Sequence, residues 1–304
     1  MKILPRVLTA WLGITVALVS DAAPATSAAV QPPERTAGKL AWAELLTSGA
    51  PADSAAFYSA VFGWRAEITG EGFDSRVTFF LGDRPIAAAA HRAASRPAPP
   101  RARWLLYFAT ADLAAATGRV SARQGRVLAQ TDSPNPVARA VLADPEGAIF
   151  GLLPAGADRP EEYAAAPGEW IWPVLFARRP DLLVEFYRDV LGHDIHPERR
   201  TPLFSGDFVL ADGPRARAGA MALPAGTTGR PAWLGLIRVT DLEATVQAAT
   251  RHGGEILRPP TEDLIGGRVA VVSDPTGAVF GLVQLAAATG PHASGPSRIT
   301  RLRP

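Results

Sequence analysis

The sequence has no cysteine among its 304 residues. Disulfides, thiolate metal sites and cysteine nucleophiles are thereby excluded, although the redox compartment is not fixed by that absence. Histidine is sparse, with five residues in all: His91, His193, His196, His252 and His292. No Ser-His-Asp constellation, glycine-rich phosphate loop or carboxylate pair at a defined spacing is recognisable. A basic footprint is missing as well. The formal net charge is +2, but the positive charge lies at the ends. Residues 1–28 carry Lys2, Arg6 and Asp21, and residues 286–304 carry Arg298, Arg301 and Arg303 with no acid. Removing +1 and +3 from +2 leaves residues 29–285 at −2, which argues against a nucleic-acid partner.

The N-terminal apolar run, Val7 to Val19, falls short of the ~20 residues that span a bilayer, so no stable membrane span is expected. Lys2 and Arg6 precede it, and Ala23-Pro24-Ala25 and Thr26-Ser27-Ala28 follow as small-residue cleavage candidates. This is the layout of a secretory signal over residues 1–28. The expected location is secreted, periplasmic or at the cell envelope. The rest is long and apolar enough for two domains, each with its own core.

Those two domains are visible as a repeat. "WAELLTSGAPADSAAFYSAVFGW" from Trp42 matches "WPVLFARRPDLLVEFYRDVLGH" from Trp172, and "WLLYFATADL" from Trp104 matches "WLGLIRVTDL" from Trp233. "DPEGAIFGLL" from Asp144 returns as "DPTGAVFGLV" from Asp274, 130 positions later. The repeats run over 38–155 and 168–286, separated by a Pro- and acid-rich linker at 156–167. The tail 287–304 has too little apolar content to pack and is expected to be disordered.

Each domain holds a fainter internal repeat. Leu183, Phe186 and Val190 at i, i+3 and i+7 mark one face of a helix that Gly192 terminates. Asp112 and Asp241 stand where N-caps belong. Strand-like runs follow each helix, giving a unit of strand, helix and three strands, four times over. In Asp-Pro-x-Gly the Asp accepts backbone N–H groups, Pro sets a turn φ, and Gly tolerates the exit into the last strand.

The ordered set Trp-x-x-Leu, Phe-Tyr, Gly, Asp-Leu and Asp-Pro-x-Gly-Ala-x-Phe-Gly-Leu resembles the vicinal oxygen chelate superfamily, which includes glyoxalases, extradiol dioxygenases and bleomycin-resistance proteins. Within it, the chain is similar to a tandem two-domain glyoxalase-like branch. The resemblance implies an α+β fold, with paired βαβββ modules in two cavity-forming domains. It also implies where metal ligands would stand. The first-strand His position holds Trp42 and Trp172, and its counterpart in each second module falls near Leu105 and Leu234. The last-strand carboxylate position is Gly151 and Gly281. Indole and glycine side chains offer a divalent ion nothing, so no cofactor is expected. The alternative is a divalent metal on a displaced site using Glu44 and His91.

Several residues remain as candidates. Glu44 lies two residues after Trp42, on the same strand face if the strand is regular, and is the candidate carboxylate for catalysis or binding. Trp42 and Trp172 are candidate cavity-wall aromatics, joined by Tyr107 and His91. Trp104 and Trp233 carry the same two readings as Trp42 and Trp172, cavity wall or core and module-interface packing, and core packing is the plainer one for all four. His193, His196 and Glu198 cluster, but the neighbouring arginines favour a solvated loop over a metal. His252 suits a helix C-terminus. The expected function is binding of a small hydrophobic or aromatic molecule, as in bleomycin-resistance relatives. A lyase, isomerase or dioxygenase and an envelope interaction module with vestigial cavities are the alternatives.

Overall fold

The computed structural model describes residues 38–92, 102–131, 138–155, 165–197, 200–201, 204–223, 226, 229–265 and 267–285. The proposed signal segment, most of the linker and the tail lie outside the described residues. The first domain runs β1 (Leu40–Thr47), α1 (Pro51–Phe62), β2 (Arg65–Thr69), β3 (Arg76–Leu81), β4 (Arg84–His91), β5 (Arg103–Thr110), α2 (Leu113–Ala122), β6 (Arg126–Thr131), β7 (Arg139–Ala143) and β8 (Ile149–Pro154). The second domain repeats the order. It comprises β9 (Trp170–Ala177), α3 (Pro180–Leu191), β10 (Asp194–Pro197), β11 (Phe208–Asp212), β12 (Arg215–Ala222), β13 (Ala232–Arg238), α4 (Leu242–Arg251), β14 (Glu255–Ile265), β15 (Gly267–Ser273) and β16 (Val279–Leu285). A short ribbon, Arg200–Thr201 with Phe204–Ser205, lies between β10 and β11.

Each domain forms one 8-stranded sheet, ordered β2-β3-β4-β1-β5-β8-β7-β6 and β10-β11-β12-β9-β13-β16-β15-β14. The two βαβββ modules of a domain therefore join edge to edge through their first strands. The helix boundaries follow the chemistry read from the sequence. Asp112 accepts from Ala115 N–H at 2.9 Å and Asp241 from Ala244 N–H at 2.9 Å. Gly63 (φ 69°) and Gly192 (φ 74°) close α1 and α3 in the left-handed region, where a Cβ is unfavourable. Leu183, Phe186 and Val190 are buried on α3.

The helices do not cover separate cores. One continuous cluster takes Ala43, Leu45, Trp104, Leu106 and Phe108 from the first sheet, the buried faces of all four helices, and Leu175, Ile237 and Phe280 from the second sheet. Helix α1 packs against α4, and α2 against α3. The helical layer is thus shared between two sheets.

That layer contains two nearly equivalent sets of polar contacts. Trp104 Nε1 donates to Tyr58 Oη at 2.9 Å, and Tyr58 donates to Asp274 Oδ2 at 2.8 Å. In the other half, Trp233 Nε1 donates to Tyr187 Oη at 2.9 Å, and Tyr187 donates to Asp144 Oδ2 at 3.0 Å. The Asp of each repeated turn thus accepts from its own turn, as at Ala148 N–H and Ala278 N–H, and from the opposite domain. Glu146 extends the contact, accepting from Arg178 N–H at 2.7 Å and Arg179 N–H at 2.8 Å, at the start of α3.

A second reciprocal contact corrects the expectation for His193. The residue is 1% exposed rather than part of a solvated loop. It occupies the place that Trp64 has in the first domain, directly after the helix-closing glycine. Trp64 Nε1 donates to Gly168 C=O at 2.8 Å, and His193 Nε2 stands 3.0 Å from Gly38 C=O. A carbonyl only accepts, so His193 is the donor and carries its proton on Nε2. Gly38 has φ 74°, and a Cβ there would stand 2.0 Å from the His193 ring, so the contact requires a glycine.

Burial pushes the His193 imidazole down from 6.5 to about 4, while the Gly38 carbonyl opposes that shift. Between those values the unfolded chain binds the proton that the folded chain refuses, so the contribution of His193 is present above pH 6.5 and is lost as pH falls toward 4. The full loss is about 3 kcal/mol. His193→Trp, which copies the other domain, removes the titration. The difference in melting temperature between wild type and this variant is expected to change across pH 6.5 to 4, in favour of the variant at the acid end. A difference independent of pH would show that His193 does not titrate this way.

Candidate functional site

Strand alternation sends Ala43 and Leu45 toward the helices and Trp42, Glu44 and Leu46 to the opposite face. Strand β5 does the same: Trp104, Leu106 and Phe108 join the shared core, while Leu105 and Tyr107 join Trp42 and Leu46 in a separate cluster. That second cluster contains no helix residue among the described residues. Antiparallel register sets Trp42 across from Tyr107 and Glu44 across from Leu105.

This helix-free face carries a buried polar group. Glu44 is 4% exposed. Tyr107 Oη donates to Glu44 Oε2 at 2.8 Å, and Arg139 Nη1 approaches the same oxygen at 3.6 Å. Both contacts fall on Oε2. Among the described residues, Oε1 accepts no hydrogen bond. The tyrosine hydroxyl is held well above its ordinary range, first by burial and then by the Glu44 charge, with Arg139 opposing. Tyr107 is therefore a neutral donor. Arg139 begins β7 and is partly exposed, so the polar group reaches toward solvent on that side, as does half-buried Trp42.

The second domain has the same face without these three polar side chains. Leu236 faces Gly281 as Tyr107 faces Gly151. Val271 pairs with Gly281 as Val141 pairs with Gly151, so Val269 corresponds to Arg139. Val174, across from Leu234, corresponds to Glu44. Trp172, Val174, Leu236 and Val269 form an apolar cluster with Val209 and Val283. Three polar positions in one repeat are thus three aliphatic positions in the other.

The remaining sequence candidates are dispersed. Glu44 and His91 are not brought together: Glu44 pairs with Ala88 and His91 with Thr47, three positions further along β1. His91 Nδ1 lies 3.3 Å from Gly49 C=O, and its ring lies 4.7 Å from that of Phe73. His196 lies on β10 across from Val209, and His252 caps the end of α4. Trp104 and Trp233 belong to the shared core. Arg139 was missed by the sequence reading. Its one available mark was its place two positions before Val141, where the other repeat has Val269.

The fold raises the question of a metal, and these residues do not fit one. A Cβ built on Gly151 would stand 2.0 Å from Tyr107 Cδ1, and one on Gly281 would stand 2.0 Å from Leu236 Cδ2. The space beside each glycine, where the resemblance expects a carboxylate, is thus filled in both domains by a side chain from the neighbouring strand. Among the described residues no three His, Asp or Glu side chains converge as a metal site.

Sheet order, module pairing and the site's position on the helix-free face define a vicinal oxygen chelate fold. The family described as glyoxalase/bleomycin resistance protein/dioxygenase superfamily matches residues 171–282, and a glyoxalase-like domain matches residues 45–153. The chain belongs to this superfamily. It is 34% identical to the anthracycline biosynthesis protein DauV of Streptomyces sp. strain C5, over 86% of this chain and 98% of that one. It is 29% identical to the putative glyoxylase CFP32 of Mycobacterium tuberculosis, over 80% and 93% of the two chains. The 2,3-dioxygenase LapB of Pseudomonas sp. KL28 superposes with a TM-score of 0.56 at 15% identity, over 85% of this chain and 96% of that one. The Mn(II)-bound glyoxalase of Novosphingobium aromaticivorans gives 0.54 at 16% identity, over 83% of each. These two structures support the fold alone.

Proposed function

We propose that the first domain binds a small aromatic or hydrophobic molecule on its helix-free face, without the superfamily's metal, and that the second domain braces it. The observation that carries this reading is the contrast between Glu44, Tyr107 and Arg139 and their counterparts Val174, Leu236 and Val269. A structural role common to both repeats would not call for buried polar groups in only one. Ligand sites are mostly apolar with a few placed polar groups, and Trp42, Leu46 and Leu105 around Glu44 have that character. The relatives named anthracycline biosynthesis proteins support the aromatic class, since an anthracycline is a polycyclic aromatic compound. Export remains part of the proposal and rests on residues 1–28.

The test is thermal unfolding against a panel of flat aromatic ligands such as hydroxyanthraquinones, in the presence of EDTA. A ligand at a hundredfold its Kd stabilises by about 2.7 kcal/mol, which for a chain of this size is a shift of several degrees. The shift is expected to shrink in Glu44→Gln and Tyr107→Phe and to survive EDTA. A shift that requires a divalent metal, or one unaffected by either substitution, would overturn the assignment. Elemental analysis of untagged protein, after incubation with Mn, Fe(II), Ni or Zn and desalting, is expected to find no stoichiometric metal.

A further inference from the structure

We propose that Glu44 is a metal-independent proton acceptor that enolises a ketone on an aromatic ligand, with Arg139 and Tyr107 receiving the oxyanion. This rests on the reading of the first domain's helix-free face as a ligand site. Four observations lead to it. Glu44 is a buried carboxylate in apolar surroundings. Its two contacts both fall on Oε2, which leaves Oε1 without a protein donor among the described residues. The 3.6 Å separation from Arg139 is longer than a hydrogen bond, and among the described residues the guanidinium makes no other polar contact. Finally, the second domain has Val174, Leu236 and Val269 at the matching positions and so carries none of the three groups.

The charges balance through the step. At rest, the Glu44 carboxylate is offset by the Arg139 guanidinium. On transfer, the ligand's C–H bond adjacent to its carbonyl breaks and an O–H bond forms on Glu44 Oε1. The C–H electron pair becomes a carbon–carbon π bond, and the carbonyl π pair moves onto the oxygen. Negative charge passes from Glu44 to the ligand oxygen while the site's net charge stays constant, so no new charge is desolvated. A protonated Glu44 has less hold on its donors, which frees Tyr107 Oη and the Arg139 N–H groups for the enolate. Returning the proton to the same carbon gives exchange, and returning it to another gives isomerisation. No oxidant, reductant or metal is required. A base within reach of the proton and donors near the developing oxyanion are the minimum that such a step needs.

The probe is 2-tetralone, a bicyclic aromatic ketone with an acidic methylene. Full-length protein is incubated with it in D2O containing EDTA, and loss of the methylene proton signal is followed by NMR. Wild type is expected to exceed the buffer rate by at least tenfold. Glu44→Gln, which keeps the shape but cannot act as the base, is expected to return to the buffer rate with its melting temperature retained. Arg139→Lys is expected to keep part of the rate, and His91→Ala all of it. Saturable binding of 2-tetralone without faster exchange would overturn proton transfer and leave the binding reading standing. Exchange abolished by EDTA would overturn metal independence. Absence both of exchange and of a thermal shift with any aromatic ligand would remove the binding reading, and this proposal with it.

Discussion

Gly151→Ala is expected to lower the melting temperature by about 5–10 °C, and Gly151→Glu by more, without producing a metal-binding protein. The added Cβ would stand 2.0 Å from Tyr107 Cδ1 and 2.3 Å from Cε1. The ring is 1% exposed and tied to Glu44, so it has little freedom to withdraw. Overpacking of this kind costs about 1–3 kcal/mol, sometimes more, and each kcal/mol is worth about 2–4 °C in a large domain. The companion variant Tyr107→Ala empties the space at a cost of about 3–5 kcal/mol. Combined with Gly151→Glu it is expected to lose distinctly less stability than the two losses added together, because the new side chain enters the vacated volume. Denaturant titrations of the four proteins measure this. Additive losses, or an unchanged Gly151→Ala, would mean that the ring does not fill the space beside Gly151.

Tyr58→Phe and Tyr187→Phe are expected to destabilise the protein by about 2–3 kcal/mol each, and by similar amounts. Each substitution removes one hydroxyl but strands two groups. Tyr58→Phe leaves Trp104 Nε1 without its acceptor and Asp274 without its cross-domain donor; Tyr187→Phe does the same to Trp233 and Asp144. A buried donor or acceptor left unpaired costs about 1–3 kcal/mol. The two environments are matched in partners and distances, which is why the losses should match. Equilibrium urea unfolding gives both numbers. A large loss at one tyrosine and none at the other would show that the geometric equivalence is not an energetic one.

Much of this architecture could be read from the residues. The repeated phrases marked two domains, and Asp112, Asp241, Gly63 and Gly192 end or begin helices for reasons that are local in sequence. That glycine stands at 151 and 281, after each Asp-Pro-x-Gly turn, was plain in the sequence. What fills the space beside them was not, because Tyr107 and Leu236 reach those points only through strand register. The same limit explains Arg139, whose partner Glu44 is distant in sequence, and His193. Beside Arg199 and Arg200, His193 looked like a surface residue. Only its equivalence to Trp64 across the domain interface accounts for its burial.

The exchange of contacts between domains also constrains the order in which the chain can become native. Gly38, at the threshold of the first strand, is held by a residue 155 positions later, and Tyr58 by one 216 positions later. When the first domain leaves the ribosome, neither partner has yet been synthesised. Its helices must remain without the other half of their core until α3 and α4 arrive. Domains usually fold as units in order of synthesis, but here the first can be only provisional. Contacts so distant along the chain also form slowly. The pair is therefore a single folding unit, completed from its C-terminal half.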